Sequence, residues 1–260
     1  MGNKVNFIGI PLDNLSMSET LDRIENSITI NKQIHHCVIN AGKIVKMQSD
    51  EKLQESVISS DIINADGMSV VWAARFLGHE IKERVAGIDL MDNLIRLAHK
   101  KNYKCFFLGA KEQVVKKIVN HYSEKYSNKI IAGYRNGYFD NNEEKILIDQ
   151  IIKSKANLLF VAMTSPKKEI FLNKYKIELK SVNLIMGVGG SFDVISGEVK
   201  RAPLFMQKIG LEWFYRFIQE PRRMWKRYLI GNLKFIIIIF KARFFDYHFA
   251  PTEIFKNKIK

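Results

Sequence analysis

Over its first 200 residues the chain alternates short, nearly continuous apolar runs with longer segments in which apolar residues recur every three or four positions. The short runs are typical of strands buried on both faces, and the longer segments are typical of amphipathic helices. The strands predicted in this way span residues 4–10, 35–40, 61–65, 103–109, 129–134, 156–163 and 182–190. The helices predicted between them span residues 18–28, 42–59, 67–78, 88–101, 111–126, 143–155 and 166–179. Such alternation predicts an α/β fold with a mostly parallel, doubly wound sheet.

The pattern changes after Gly197, where the chain becomes aromatic and basic with helical periodicity, divided at Pro221. From residue 200 onward there are 14 lysines and arginines against 4 acids, which is +10 of the formal net charge of +14. The apolar run FIIIIF at 235–240 has six residues, whereas about 20 are needed to span a bilayer. The sequence therefore predicts an α/β core at 1–197 and a helical appendage at 198–260 that lies on a membrane or packs on the core.

Composition narrows the class of protein further. Hydrophobic residues make up 47% of the 260 residues, which is ample for a packed core. Cys37 and Cys105 are the only cysteines and belong to no paired motif, so a reducing compartment is expected. The start of the chain shows no apolar run of the kind found in secretion signals, so none is expected.

Three predicted strands end at glycine, where the backbone can approach a ligand closely. The three ends read NADG at 64–67, FLGA at 107–110 and GVGGSFD at 187–193, which makes candidates of Gly109, Gly187 and Gly189. Because ligands of α/β folds bind at the carboxyl ends of strands, Asp66 is a candidate ligand-binding carboxylate. A carboxylate beside a helix N-terminus is also explained as a helix cap, and the residues alone leave both interpretations open.

Several ligand-binding motifs are missing from the sequence. Phe192 occupies the place of the third glycine of a dinucleotide fingerprint, and no GxxxxGK[ST] loop occurs. There is no DxD or HExxH motif, and the adjacent His35 and His36 diverge on a strand, so no metal site is expected. An enzyme that releases a phosphate group would then depend on backbone amides and cationic side chains. The candidate cations are Arg84, Lys168, Arg216, Arg222, Arg223 and Arg227.

Six segments together resemble the WecG/TagA/CpsF glycosyltransferases of bacterial envelope polysaccharide synthesis, and the resemblance covers about residues 5 to 240. The segments are ADGMSVVWAARFLG, ERVAGIDL, GYRNGYF, SPKKE, GVGGSFDVISGEVKRAP and GLEWFYRFIQEPRRMWKRY. The resemblance implies a Rossmann-like α/β fold and an inverting, metal-independent transfer from a UDP-sugar, with no cofactor. It also implies a polyprenyl-diphosphate-linked sugar acceptor, and a basic C-terminal appendage that reaches the membrane and contributes arginines to the site.

Residue by residue, the resemblance implies that Asp66 is the general base, with Asn40 near the reacting centre and Arg84 beside it. It further implies that Tyr138 stacks on uracil and that Asp193 lines the nucleotide pocket with Gly187 and Gly189. Two positions depart from the family pattern. Many members have Thr-x-Asn where this chain has Val-Ile-Asn at 38–40, and many have Gln where this chain has Lys168.

The function expected is a glycosyltransferase on the cytoplasmic face of the membrane, peripherally bound to its anionic surface. The expected donors are UDP-N-acetylmannosamine, its uronate or a related hexose, and the enzyme is a possible homo-oligomer that binds no nucleic acid. One alternative is a non-enzymatic protein whose basic, aromatic segment binds single-stranded nucleic acid. A second alternative, an NAD-dependent oxidoreductase, is disfavoured by the broken dinucleotide fingerprint.

Overall fold

The structure, a computed structural model, describes residues 4–140 and 142–245, with the backbone alone at residues 223, 226 and 227. The strands in this part of the chain are β1 (Lys4–Phe7), β2 (Ile10–Asp13), β3 (Ile34–Ile39), β4 (Ile62–Ala65), β5 (Cys105–Gly109), β6 (Ile131–Arg135), β7 (Leu158–Ala162) and β8 (Leu184–Gly187). The helices are α1 (Met17–Thr29), α2 (Ala41–Met47), α3 (Glu51–Ile58), α4 (Met68–Phe76), α5 (Gly87–Lys101), α6 (Glu112–Lys125), α7 (Glu143–Lys153), α8 (Lys167–Lys174), α9 (Ser191–Ile195), α10 (Leu204–Lys208), α11 (Glu212–Gln219), α12 (Pro221–Trp225) and α13 (Gly231–Phe245).

Six strands form one sheet in the order β4-β3-β8-β7-β5-β6, and β1 pairs with β2 in a separate antiparallel ribbon. The described pairings of β3 with β8, β8 with β7, β7 with β5 and β5 with β6 are parallel. Every residue of β5, β7 and β8 is buried, which explains why these strands are continuous apolar runs in the sequence. The predicted α/β fold with a parallel, Rossmann-like sheet is confirmed.

The strand predicted at 4–10 is instead the first arm and the turn of a hairpin. Ile8 and Gly9 have φ angles of 48° and 91°, and the amide of Gly9 donates to Asn6 Oδ1 at 2.8 Å. Positive φ at both central residues is typical of the tight two-residue turn that joins antiparallel strands. The apolar run conceals the turn because Ile8 is itself buried and therefore resembles a strand residue.

The helix predicted at 42–59 is two helices, α2 and α3. The carboxylate of Asp50 accepts a hydrogen bond from the amide of Leu53 at 2.9 Å and so caps the start of α3. Apolar spacing does not reveal the break, because Met47 before it and Leu53 after it are both buried.

The described residues form two compact units. The first takes described residues from 4–17, 38–86 and 200–245 and holds β1, β2, β4, α2 to α4 and α10 to α13. The second takes described residues from 18–37, 87–140 and 142–199 and holds β5 to β8 and α5 to α9. The division into a core at 1–197 and an appendage at 198–260 stays a prediction.

Within the first unit, helix α13 packs on α2. Its inner face is formed by Gly231, Phe235, Ile238 and Ile239, which are buried. The start of this C-terminal segment is also fixed, since the side chain of Gln219 bonds both the amide and the carbonyl of Lys200, at 3.0 and 2.9 Å. Part of the apolar run at 235–240 is therefore core of this unit.

Candidate active site

The ends of β3 and β4 bring Asn40 and Asp66 together in the first unit. The amide of Asp66 donates to the carbonyl of Ile39 at 2.9 Å, which continues the pairing one residue past the end of β4. At the next position, a Cβ placed on Gly67 would lie 3.7 Å from Asn40 Cβ. Asp66 and Asn40 therefore lie at the ends of two adjacent strands, where ligands of α/β folds bind. Their predicted roles in a reaction stay predictions.

Asn40 also has a local structural role. Its side-chain oxygen accepts a hydrogen bond from the amide of Lys43 at 3.0 Å, which makes it the N-cap of α2. The ammonium of Lys43 is buried and donates to the carbonyl of Val38 at 2.6 Å, so this turn is held from both sides. The cap fixes the rotamer of Asn40 and leaves its amide NH₂ as the group available to a substrate.

The N-cap position of helix α4 belongs to Gly67 and not to Asp66. Gly67 has extended backbone angles, φ −104° and ψ 140°, and has no side chain with which to cap the helix. The half-buried Asp66 precedes it by one residue, ahead of the position that an N-cap side chain takes.

Arg84 lies in a loop between α4 and α5 that is tied down along its length. Hydrogen bonds join the Ile81 carbonyl to Arg75, the Lys82 amide to Asn14 and the Glu83 carboxylate to the Met17 amide. The amide of Val85 then donates to the carbonyl of Ala65, the last residue of β4, at 2.9 Å. Arg84 precedes Val85, the donor of this hydrogen bond, and Asp66 follows Ala65, its acceptor. The loop therefore brings Arg84 and Asp66 close together.

The side chain of Arg84 pairs with Glu212 at the start of α11. Its Nη1 lies 2.9 Å from Glu212 Oε2, and the Arg84 side chain is only 14% exposed. A second cation, Arg201, approaches the other carboxylate oxygen, with its Nε 3.8 Å from Oε1. The C-terminal segment thus contributes an acid to this site. Sequence reasoning missed Glu212, although an acid in so basic a segment is an available signal.

The arginines predicted to reach the donor's diphosphate have other surroundings in the described structure. Arg216 Nε, in α11, lies 3.8 Å from Oε2 of Glu220, the residue that follows this helix, and Arg222 is exposed. The side chains of Arg223 and Arg227 lie outside the described residues. Their predicted roles stay predictions.

In the second unit, Lys168 lies against the glycine-rich end of β8. Its stem occupies the space beside Gly187, where an added Cβ would lie 3.1 Å from Lys168 Cδ, and beside Gly189, where it would lie 3.9 Å from Nζ. The ammonium is 2.7 Å from the carboxylate of Glu169, and both side chains are buried. Glycine at 187 therefore makes room for the lysine stem, and the charge of Lys168 is balanced within its own helix.

The other residues predicted to bind the nucleotide differ in exposure. Gly189 has φ +53°, which turns the chain between β8 and α9, and the half-buried Asp193 lies in α9. Phe192 between them is fully buried, with its ring 6.0 Å from that of Phe107, so it is a core residue. Tyr138 is 70% exposed, as a ring that is to stack on a base must be. Their predicted contacts with a nucleotide stay predictions.

Gly109 has a packing role that the sequence did not indicate. Its φ is +120°, and an added Cβ would lie 2.5 Å from the carbonyl oxygen of Ala162 at the end of β7. The next amide, that of Ala110, donates to that same oxygen at 2.8 Å. The ends of β5 and β7 meet through this glycine.

Gly109→Ala is therefore expected to lower the free energy of unfolding by roughly 3 kcal/mol, the sum of backbone strain and an overlap that the backbone must relieve. Gly197→Ala is the matched control, because Gly197 also has a positive φ, +80°, but has nothing within 4 Å of its Cβ position. Urea unfolding of both variants separates strain from overlap. Equal losses in the two variants would show that the contact with Ala162 is not responsible.

Within residues 4–140 and 142–245, no three or more His, Cys, Asp or Glu side chains are grouped so as to hold a metal ion. The same ranges contain no helix whose length and apolar character would let it cross a membrane.

Comparison with known proteins gives consistent matches. Over residues 5–248 the sequence matches the family described as "Glycosyl transferase WecG/TagA/CpsF family". A Bacillus subtilis protein named N-acetylglucosaminyldiphosphoundecaprenol N-acetyl-beta-D-mannosaminyltransferase is 35% identical over 223 residues, which are 85% of this chain and 85% of that protein. Proteins with the same name from Bacillus spizizenii and Staphylococcus aureus (strain MW2) are 39% and 32% identical, over 72% and 99% of this chain and 71% and 95% of their own lengths.

Proposed function

Because the chain belongs to the WecG/TagA/CpsF family of glycosyl transferases, we propose that it transfers N-acetylmannosamine from its UDP derivative to N-acetylglucosamine linked to a polyprenyl diphosphate. The names of the three relatives supply both sugars and the lipid. The observation that carries the proposal is the placement of Asp66 and Asn40 at the ends of two adjacent strands. The loop that contains Arg84 is hydrogen-bonded to the end of one of these strands, β4.

Asp66 is the general base in this proposal. Its carboxylate takes the proton of the acceptor hydroxyl while that oxygen forms a bond to the anomeric carbon of the donor. The bond from that carbon to the UDP oxygen breaks on the opposite side, so UDP leaves with the electron pair and the configuration inverts. A positioned base of this kind typically contributes about 10²–10⁴ to the rate.

Arg84 and the amide of Asn40 are the polar groups that assist Asp66. A guanidinium that is 14% exposed acts on a nearby phosphate more strongly than one in water, because solvent screens it less. Glu212 holds this guanidinium in place before substrate arrives. Charge that develops on a diphosphate would then meet a group that needs no reorientation.

Lys168, at the Gly187–Gly189 loop, is a residue that we propose to contact the donor. Its ammonium is already balanced by Glu169, so a second carboxylate on the donor gains less there than it would beside an unbalanced cation. We therefore favour the neutral N-acetylmannosamine donor over its uronate. The N-acetylmannosaminyl names of the relatives agree with this choice.

Lys168→Gln is expected to lower stability by about 3 kcal/mol, because it removes one partner of a buried ion pair and leaves the other. The double variant Lys168→Gln/Glu169→Gln removes both charges and is expected to recover most of that loss. Thermal unfolding of the two variants tests the pair. In the double variant, relative rates with UDP-N-acetylmannosamine and its uronate then show whether Lys168 selects the sugar. An unchanged ranking with a uniformly lower rate would instead assign Lys168 to the diphosphate.

We further propose that the enzyme binds peripherally to the inner face of the cell membrane through α13. The outer face of this helix is apolar and exposed at Leu233, Ile236, Ile237 and Phe240, while Phe235 is buried on the inner face. Lys234, Lys241 and Arg243 are exposed on the same helix. An apolar strip edged by cations suits an anionic lipid surface.

Leu233→Gln/Ile237→Gln is expected to reduce sedimentation with phosphatidylglycerol vesicles at least about tenfold, because two exposed apolar side chains would be lost from the interface. Binding of the unmodified protein should also weaken as salt screens the lipid charge. Ile146→Gln is the control, since Ile146 is 57% exposed on α7 in the other unit. Equal sedimentation of all three proteins would contradict binding through α13.

The proposed reaction is tested by incubating the protein with several UDP-sugars and a water-soluble N-acetylglucosamine diphosphate ester, with EDTA present, and measuring UDP and product. Turnover with UDP-N-acetylmannosamine is expected to exceed that with its uronate and with the other UDP-sugars. Release of UDP that does not depend on the acceptor would contradict sugar transfer, and activity that requires an added divalent cation would contradict stabilisation by arginine and amides.

A further inference from the structure

Helix α4 carries an apolar stripe that starts near the candidate base and is exposed at Trp72 and Phe76. Met68, Trp72 and Phe76 are spaced by four residues, which places them on one face of the helix. Trp72 is 49% exposed and Phe76 is 46% exposed. The stripe starts two residues after Asp66 and rises about 12 Å to Phe76.

The core does not require these aromatic residues. The packing face of α4 is Val70, Val71, Ala73 and Ala74, all of which are buried. The outer face of a helix in a water-soluble protein is normally polar. The outer face of α4 instead carries the two aromatic rings and one cation, Arg75. The guanidinium of Arg75 donates to the carbonyl of Ile81 at 3.1 Å.

Residues of the C-terminal segment extend the stripe into a continuous track. At Gly210, which has φ +72°, an added Cβ would lie 2.6 Å from Trp72 Cη2 and 2.9 Å from Met68 Cβ, so backbone presses against the start of the stripe. At its far end the ring of Phe76 lies 5.7 Å from that of Phe240, which stacks on Phe244 at 6.0 Å. Gly210 covers the half-buried Met68, so the exposed apolar track runs Trp72, Phe76, Phe240, Phe244.

We propose that this track binds the first isoprene units of the acceptor's polyprenyl chain. The inference rests on the proposed function, which puts the acceptor hydroxyl at Asp66. The sugar and diphosphate of the acceptor then extend along α4 as far as its last turn, where Arg75 offers a charge to the diphosphate, and the hydrocarbon chain continues along Phe76, Phe240 and Phe244. The stripe on α4 starts two residues after Asp66, the base of the proposed function, so one substrate can reach both.

The test uses two water-soluble acceptors without vesicles or detergent: N-acetylglucosamine diphosphate esterified with a ten-carbon, two-isoprene chain, and the same compound with a methyl group. For the unmodified protein, kcat/KM is expected to be higher with the ten-carbon ester. Phe76→Gln and Phe240→Gln should each lower kcat/KM for this ester about tenfold, a loss of about 1.4 kcal/mol, and leave the methyl ester unaffected. Phe76→Leu should retain most of the preference for the ten-carbon ester over the methyl ester. Ile146→Gln should leave kcat/KM for both esters unchanged.

The possible outcomes separate this inference from the proposed function. Equal kcat/KM for the two esters in the unmodified protein would overturn the track while leaving sugar transfer intact. Variants that lose vesicle binding but keep the ten-carbon preference would overturn it too, and would make the surface a membrane contact. If neither ester is a substrate, the proposed function fails. Calorimetric binding of the ten-carbon ester then decides whether the track binds an isoprene chain. Binding that is weakened about tenfold by Phe76→Gln supports the track, and its absence overturns it.

Discussion

Asp66→Asn is expected to lower the rate of sugar transfer by at least about 100-fold while the protein stays folded, because the variant has no base to accept the hydroxyl proton. The amide keeps the size and shape of the carboxylate, so the half-buried position should tolerate it. The measurement is kcat for UDP release with the soluble acceptor, together with the thermal unfolding midpoint.

Asp50→Asn is the matched control for Asp66. Asp50 caps α3 through Leu53, and asparagine is an equally good N-cap, so neither activity nor stability should change by much. If Asp66→Asn keeps nearly full activity but unfolds several degrees lower, the acid supports the start of α4 and is not the base.

Arg84→Met is expected to lower kcat by about 100- to 1000-fold, the cost typical of removing one preorganised group that stabilises developing negative charge. The same change leaves Glu212 without its 2.9 Å partner in a partly exposed site, so a modest loss of stability should accompany it. Both kcat and the midpoint of urea unfolding are measured.

Glu212→Gln separates the two roles of the ion pair. The variant keeps the guanidinium but weakens its support, so we expect a much smaller loss of kcat than in Arg84→Met. A double-mutant cycle with Arg84→Met gives the coupling in stability. If the single and double variants lose equal stability and all keep normal kcat, Arg84 is only a link between its loop and α11.

Buried strands were the most predictable part of the fold. The runs at 103–109 and 156–163 contain β5 and β7, because strands covered on both faces are apolar at every position. The turn at Ile8 was harder to predict, because it uses a buried residue with positive φ. The break between α2 and α3 was also hard to predict, because the cap at Asp50 interrupts no apolar pattern.

The candidate site was predictable only as far as strand ends allow. Asp66 and Asn40 follow β4 and β3, so their proximity follows from a parallel sheet. The contact between Arg84 and Glu212 joins residues 128 positions apart, and no local pattern encodes such a pairing. The sequence also did not reveal the packing of Gly109 on Ala162, because a glycine needed for packing gives the same sequence signal as one that faces a ligand. The predicted contact of Gly109 with a ligand stays a prediction.

The family match bears on the nucleic-acid alternative, and the position of Phe192 bears on the dinucleotide alternative. The family match extends from residue 5 to residue 248, so it includes both the strand ends and most of the basic segment that a nucleic-acid binder would use alone. The dinucleotide alternative requires a glycine at 192, where the fully buried Phe192 is part of the core.

The anomeric configuration of the product tests inverting transfer by Asp66 most directly. The protein is incubated with UDP-N-acetylmannosamine, whose sugar is α-linked, and the soluble acceptor, and the new linkage is read by NMR. We predict a β-linked disaccharide with the unmodified protein and almost none with Asp66→Asn. An α-linked product, or free N-acetylmannosamine with no linkage to the acceptor, would contradict the proposed mechanism.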